Sequence, residues 1–443
     1  MRVAAPGSPY DPTMPMPTVR PAPRLIALLA AVAALVVATG APAAPVPAVH
    51  ELARQEQQPL LDTLRDLVSI ESGSKDLEGL EKIAALIADR LRQLGGKVTV
   101  VPPTDVFRMD DTPAKTGAMV QAEWQGTGKK KVMLIAHMDT VYLRGMLKDQ
   151  PYRVDGNRAY GLGIADDKQG VALILHIVAM LNKLGVKDYG TLTVLVNGDE
   201  EISSPGSRAT ITRLAADQDA VLSFEGGGSD GGIRLATSGI GSAYLTVEGK
   251  ASHAGAAPER GVNALYELSY QILQMRDLSQ EDKGLKLNWT VSQAGTNRNV
   301  IPAAASAQAD ARALRVSDFD QLQSALQERV KKKLLPDSKV QVKFEVRRPP
   351  LEATPAARQL AAHARTIYDE IGLPMRVADV ATGGGTDAAF AALKARGAVI
   401  EGFGLTGFGA HSNDAEYVQL ETIVPRLYLG TRMVMDIARD NAR

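Results

Sequence analysis

Six histidines are spread along the chain, and a few of them stand near carboxylates in ways that chemistry could use. His137-Met138-Asp139 follows the apolar run at 132–136. Alternation along an extended chain puts His137 and Asp139 on the same side, as a metal-binding imidazole and the carboxylate that orients it would be. An H-x-D triplet is also common by chance, so its place at the end of an apolar strand is what makes this one worth following. Further on, Gly161-Leu-Gly-Ile-Ala-Asp166-Asp167-Lys168 runs straight into an apolar helix from Gly170. Asp166 or Asp167 could simply serve the helix start; the sharper reading is a carboxylate that bridges metal ions. A nucleotide loop does not fit, because the GxG lacks the rest of the phosphate-binding fingerprint. Asp199-Glu200-Glu201 places three adjacent carboxylates after the strand-like 191–197, where they repel one another unless cations compensate them. Glu225, set off by Gly226 to Gly228, ends the next apolar run, and His411 lies in a glycine-rich loop near the carboxyl terminus. Taken singly, a solvated acidic turn or a loop histidine accounts for each.

Their common placement is the stronger signal. Each group is expected just past the end of an apolar strand of one sheet, which would gather two imidazoles, three ligand carboxylates and one spare carboxylate. The chain has no cysteine, so thiolate nucleophiles, disulfides and sulfur-ligated metals are excluded. Few N and O ligands per ion, with a coordination position open to water, suit a catalytic zinc pair.

The elements that must position these groups alternate. Apolar strands at 132–136, 191–197, 220–225 and 398–401 are separated by helical stretches at 170–185, 207–216 and 387–393, after an amphipathic stretch at 52–68. That pattern predicts an α/β fold, a largely parallel sheet with helices on both faces, whose sites lie at the carboxyl ends of its strands. Between 239 and 349 the order changes to strand (243–248), helix (262–275), strand (285–292), strand (303–314), helix (319–334), strand (340–346). This is the β-α-β-β-α-β order of a ferredoxin-like unit. It reads as an inserted second domain between catalytic parts at 50–238 and 350–443.

The 443 residues carry 50 basic and 50 acidic side chains, and the only dense basic runs are Lys129 to Lys131 and Lys331 to Lys333. A nucleic-acid partner is therefore not expected. The amino-terminal 1–43 reads as a leader: Arg20 and Arg24 precede an uncharged run at 25–40 and then APAAPVPA. Signal-peptide cleavage near Ala43 or Ala48 fits this better than a membrane anchor, since the run falls short of the roughly 20 residues a span needs. Translation starting at Met14 or Met16 would give a leader of ordinary length. The mature protein is expected to be periplasmic or secreted, with no stable membrane insertion.

The joint occurrence of HMDTVY, YGLGIADDKQG, NGDEE, SFEGG, GKASHAGAAPERGVNA, TGGGTDAA and GFGAHSNDAEYV closely resembles the bacterial glutamate carboxypeptidases of the glucarpidase (carboxypeptidase G) type. These belong to the zinc exopeptidase and deacylase family that includes acetylornithine deacetylase and succinyl-diaminopimelate desuccinylase. The resemblance spans nearly everything after the leader. It implies two zinc ions per subunit bridged by Asp166, with His137 and Glu225 completing one site and Glu201 and His411 the other. Asp139 would orient His137, and Glu200 would be the general base. The resemblance further implies a homodimer in which His253 stabilises the oxyanion in the partner's site and Asn299 also acts across the dimer. Arg312 and Arg348 match positions near the substrate, and bidentate arginine suits its carboxylates. Gly384, Gly385 and Thr386 would offer backbone N–H groups to the terminal carboxylate. After Glu225 the chain departs from the family pattern with GGGSDGGIRLATSG, where Arg234 is the candidate to replace a lysine that meets the glutamate side chain. The implied activity is release of a carboxyl-terminal amino acid, glutamate first, from N-acyl, folyl or short peptidyl substrates. A deacylase or dipeptidase of the same family is the enzymatic rival. A solute-binding protein is the non-enzymatic one, against which Glu200 speaks, because a binder has no use for a carboxylate beside the ligands.

Overall fold

The residues at 132–136 are apolar at every position and those at 192–196 at every position but Thr193, and strands of that kind need cover on both faces. The computed structural model, which describes residues 44–381, 383–412 and 416–442, provides it. The leader read at 1–43 lies outside the described residues.

Six strands form one sheet in the order Lys97–Val101, Met119–Gln125, Thr191–Asn197, Lys131–His137, Ala220–Ser223, Ala398–Ile400. The last four are mutually parallel, and only Met119–Gln125 runs against its neighbours. Alternate residues of the same strands enter two separate apolar clusters. Val132, Leu134, Val194 and Leu222 pack with Leu60, Ile83, Ile174 and Leu427 of the longer helices. Met133, Ile135, Leu195 and Val221 pack with Ile211, Ala389 and Phe390 of the short helices Arg208–Ala215 and Ala388–Ala392. Period-two side-chain alternation thus divides the core between two helical layers. The apolar stretch expected from Gly170 is the helix Gln169–Lys183, nearly all of it buried. Gly170 is required where this helix passes the sheet, because a Cβ there would collide with the Phe224 carbonyl oxygen.

The amphipathic stretch at 52–68 falls in two helices, Pro47–Gln55 and Gln57–Val68, parted at Glu56, whose carboxylate turns inward to His176. The two strands at 97–101 and 119–125 were not legible, since Lys97–Val101 is an edge strand with little buried surface.

Residues 239–348 form a second, wholly antiparallel sheet in the order Lys286–Ala294, Ala304–Ala313, Gly239–Glu248, Lys339–Arg348. With the helices Ala264–Gln274 and Val316–Arg329 it follows the element order expected, and its own apolar cluster includes Leu245, Leu268, Phe319 and Leu326. A third, small sheet was not foreseen: Gly407–Phe408, Tyr417–Gln419, Arg158–Tyr160 and Arg153–Asp155. Among the described residues no helix is long and apolar enough to cross a membrane.

Candidate metal centre

His137 is the last residue of its strand and is buried; its Nδ1 lies 3.1 Å from the Asp139 carbonyl oxygen and 3.3 Å from Asp139 Oδ1. Its Nε2 faces Asp166 Oδ1 at 3.0 Å and Glu225 Oε1 at 3.4 Å. On the other side of Asp166, His411 Nε2 lies 3.3 Å from Asp166 Oδ2 and 3.2 Å from Glu201 Oε2. Two His/carboxylate triads therefore share Asp166, one through each of its oxygens, and within each triad the ligand atoms lie within 4.8 Å of one another.

The expectation that all these groups end strands of one sheet needs correction. His137, Glu201 and Glu225 do follow strands of the large sheet, but Asp166 and His411 follow Arg158–Tyr160 and Gly407–Phe408 of the small one. Those strands are two or three residues long and carry no apolar run, so periodicity could not reveal them. The choice between Asp166 and Asp167 resolves for Asp166. Asp167 is buried and accepts hydrogen bonds from Gln169 Nε2 at 2.6 Å and from the His137 backbone at 3.4 Å.

Asp139 is fully buried and accepts from the backbone N–H groups of Glu200 at 3.0 Å and Glu201 at 3.1 Å and from Ser74 Oγ at 2.8 Å. One carboxylate thus holds His137 and the turn that carries Glu200 and Glu201. Glu200 belongs to neither triad. Its Oε1 pairs with Arg348 Nη1 at 2.5 Å, and Arg348 also donates to the Glu200 carbonyl oxygen. Arg348 is itself backed by Asp387 at 3.3 Å, and Asp387 accepts from Asn197 Nδ2 at 2.8 Å and from Ser204 Oγ. The structure thus places Arg348, read as a substrate contact, against the candidate base. The turn is tight enough that Ser203 and Ser204 both adopt positive φ, at 69° and 54°, and such strain persists only where the surroundings hold it.

The donor set fits hard-to-borderline dications. Glu201 Oε1 is buried without a hydrogen-bond partner among the described residues, which costs free energy unless a cation meets it. Burial pushes the Glu201 carboxyl up to about 7. Burial opposes a charge on His137, but Glu225, Asp139 and Asp166 outweigh it and hold its pKa well above the usual imidazole value. Hydrogen bonds that His411 donates to the carboxylates of Asp166 and Glu201 push its pKa up to about 10. The carboxylates thus favour protons on both imidazoles, which a bound metal ion would displace.

The remaining predicted residues lie around this centre. Arg312 is held by both oxygens of Asp310, at 2.9 and 3.0 Å, and donates to the Gly383 carbonyl at 3.1 Å. A Cβ on Gly385 would sit 2.8 Å from Arg348 Cδ, so only glycine lets this loop approach. The Gly384 carbonyl accepts from the Ser238 backbone at 2.9 Å, and Thr386 Oγ1 donates to the buried Glu401 at 2.9 Å. Arg234 donates to the Gly226 carbonyl at 2.9 Å. His253 and Asn299 are exposed neighbours in loops of the second sheet, joined by the Ala254 N–H donating to the Asn299 carbonyl at 2.9 Å. Within one chain the structure does not bring them to the triads. The Nδ1 of His253 accepts from the backbone of Gly255 at 3.2 Å and Ala256 at 3.1 Å, which leaves Nε2 as the protonated nitrogen of the neutral ring. His176 and His363 are structural, bonded to Glu56 at 2.6 Å and Asp436 at 2.9 Å.

Sequence reasoning missed Glu416, a buried carboxylate that accepts hydrogen bonds from the loop leading to Asp166. It stands inside the HSNDAEYV motif, but nothing in a polar loop separates a buried acceptor from a solvated one.

Comparison with known proteins agrees with this geometry. A family model described as peptidase family M20/M25/M40 matches residues 133–436. Carboxypeptidase G2 of Pseudomonas sp. (strain RS-16) is 44% identical over 390 residues, 88% of this chain and 92% of that protein. Among solved structures, the aminopeptidase PepT from Bacillus cereus ATCC 10987 superposes with a TM-score of 0.70 at 20% identity, covering 86% of this chain and 99% of that one. YXEP of Bacillus subtilis, a dinuclear metal-binding peptidase, superposes with a TM-score of 0.63 at 16% identity, covering 87% and 99%. At those identities the two structures speak for the fold. The family model spans well over half of the chain and a relative above 30% identity spans most of it, so this chain belongs to peptidase family M20/M25/M40.

Proposed function

We propose that the chain is a zinc-dependent carboxypeptidase that hydrolyses an amide bond and releases a carboxyl-terminal amino acid, glutamate first, from N-acyl, folyl or short peptidyl substrates. The observation that carries this is the placement of Glu200. It is a buried carboxylate next to two metal-fitting triads that share Asp166, yet it is a member of neither. The 44% identity to Carboxypeptidase G2 supports glutamate as the released residue.

When bound, two zinc ions held by His137, Asp166, Glu225, Glu201 and His411 supply an acidified water and polarise the scissile carbonyl. Glu200 takes the proton of that water and passes it to the leaving amine. Asp139 fixes both the imidazole of His137 and the backbone of Glu200, so that ligand and base keep a constant separation. The terminal carboxylate would be received by Arg312, Arg348 and the loop containing Gly384, Gly385 and Thr386, and the side chain of the released residue by Arg234. A cleft of about 610 Å3 is lined by Thr140, Tyr142, Leu143, Glu201 and Ile202. That volume suits the acyl portion of a small substrate.

We further propose a catalytic domain formed by 50–238 and 350–443, with 239–349 as a dimerisation domain. Lys286–Ala294 is an edge strand of the second sheet with mostly exposed side chains, and the helix Ala264–Gln274 exposes Tyr266 and Leu273. Unpaired edges and exposed apolar side chains favour association. His253, with Nε2–H free to donate, would then complete the partner's oxyanion site. The leader at 1–43 supports a periplasmic or secreted protein.

The test is amino-acid release by the purified mature protein from N-acyl and folyl substrates that differ only in the terminal residue, with and without a chelator. Chelator-sensitive release confined to glutamate supports the reading. Release of other residues moves the specificity question to the segment after Glu225. Absence of release from all of them favours a deacylase acting on the other side of the amide, or a binding protein.

A further inference from the structure

The two triads depend on Asp166, and Asp166 sits in a loop with no regular strand beneath it. The backbone N–H groups that lead into Asp166 are gathered by one side chain from elsewhere in the sequence. Glu416 Oε1 accepts the backbone N–H of Ala165 at 2.7 Å and of Asp166 itself at 3.2 Å. Glu416 Oε2 accepts the N–H of Gly163 at 2.9 Å and the hydroxyl of Tyr142 at 2.5 Å. The same Tyr142 hydroxyl lies 3.0 Å from the carbonyl oxygen of Ser412, the residue after His411. Tyr142 in turn follows closely on Asp139, so one buried carboxylate ties together three segments: the turn after His137, the Asp166 loop and the His411 loop.

We infer that Glu416 is a positioning residue for the metal pair, setting the separation of Asp166 and His411 through the Ala165–Asp166 backbone and Tyr142. This inference rests on the reading of the triads as a metal centre. An acceptor-only group is needed because four donors converge on it. An amide at this position keeps one oxygen for the Ala165 and Asp166 N–H groups. Its NH2 would then face the Gly163 N–H, a donor against a donor, and the turn at Gly163, which has a φ of 71°, would lose its anchor. Outer carboxylates of metal sites typically govern metal affinity by about 10–100-fold. Because Asp166 serves both triads, both ions should feel the change.

The experiment measures zinc binding to the metal-free full chain by competition with a chromogenic chelator, for the wild type, Glu416→Gln, Tyr142→Phe and the exposed control Glu421→Gln. The expected result for Glu416→Gln is about 10–100-fold weaker binding of both ions, with a melting temperature for the metal-free protein close to wild type. Glu421→Gln should bind as wild type. Tyr142→Phe, which removes one donor from Glu416 and with it the link to the His411 loop, is expected to weaken binding by about 2–10-fold, the scale of one hydrogen bond. Wild-type affinity in Glu416→Gln would overturn the inference. If that variant fails to fold, wild-type affinity in Tyr142→Phe would overturn it instead. A wild type that binds no zinc would sink the metal-centre reading itself, which is a different outcome from either.

Discussion

Replacing Glu200 by glutamine should abolish activity and stabilise the metal-free protein at the same time. Glutamine keeps the shape of the side chain and an oxygen for the Arg348 guanidinium, which also retains Asp387 and the Glu200 carbonyl as partners. The catalytic loss follows from the missing base: general-base catalysis contributes about 100- to 10,000-fold, or roughly 2.7–5.5 kcal/mol of barrier. The stability gain follows from burial. Burial raises the Glu200 carboxyl well above the ordinary carboxylate range, even though Arg348 and His137 pull the other way. An acid whose folded pKa is raised loses stability as pH climbs from its unfolded value toward its folded one, so at neutral pH the charge opposes folding. Each unit of that upward shift is about 1.4 kcal/mol, and unfolding entropy of about 2 cal/mol/K per residue converts 1 kcal/mol to roughly 1 °C for a chain this size. The assay pairs kcat and metal content of the zinc-loaded variant with melting of the chelator-stripped protein between pH 4 and 8. The variant should hold its metal, turn over at least 100-fold more slowly and melt higher, with the difference growing as pH rises. A variant that turned over normally would refute the base assignment. One that melted lower at pH 8 would refute the electrostatic argument, and with it the claim that Glu200 is held there at a cost.

Asp139→Asn puts an NH2 group against the Glu200 or Glu201 N–H and should weaken zinc binding by about 10–100-fold, measured by chelator competition; unchanged affinity would leave Asp139 without the orienting role. His253→Ala should lower kcat with metal content unchanged, and full activity of a demonstrated monomer would remove the histidine from the mechanism. Glu56→Gln should destabilise the fold by about 1–3 kcal/mol at neutral pH, because the buried Glu56 carboxylate meets His176 and Lys183. The bond from His176 holds the Glu56 carboxyl below its usual range, so its contribution is fully present above the unfolded pKa near 4.5 and fades as pH falls through the lower folded value. Urea midpoints of the two proteins should therefore converge on acidification, and a constant gap would argue against the ionic contribution.

Much of the α/β frame was legible because its signal is local. An uninterrupted apolar run such as 132–136 can be recognised without knowing its neighbours, and so can the helix expected from Gly170. The ligands that end such runs, His137 and Glu201, came with them. Asp166 and His411 could be named from motif resemblance but not placed, because the strands beside them are too short for periodicity to register and the loop between is organised by contacts more than 200 residues apart in sequence, such as Glu416 to Ala165. The pairing of Arg348 with Glu200 was equally hidden. Charge complementarity between an arginine at a strand end and a carboxylate 148 residues earlier becomes visible only when the second sheet lies against the first. His253 and Asn299 illustrate the converse, being specified by motif while the single chain offers them no site to act on.

The interleaving of the ligands with the second sheet has a temporal meaning. Glu201 and Glu225 are made before that sheet, and His411 and Glu416 about 200 residues after Glu201. A chain emerging in order would therefore display its acidic cluster long before the last imidazole and the carboxylate that braces the bridging loop arrive. During that interval the triad of His137, Asp166 and Glu225 is already made, whereas the one that needs His411 is not. Completion of the second triad, together with the brace on its bridging loop, becomes the closing event of synthesis.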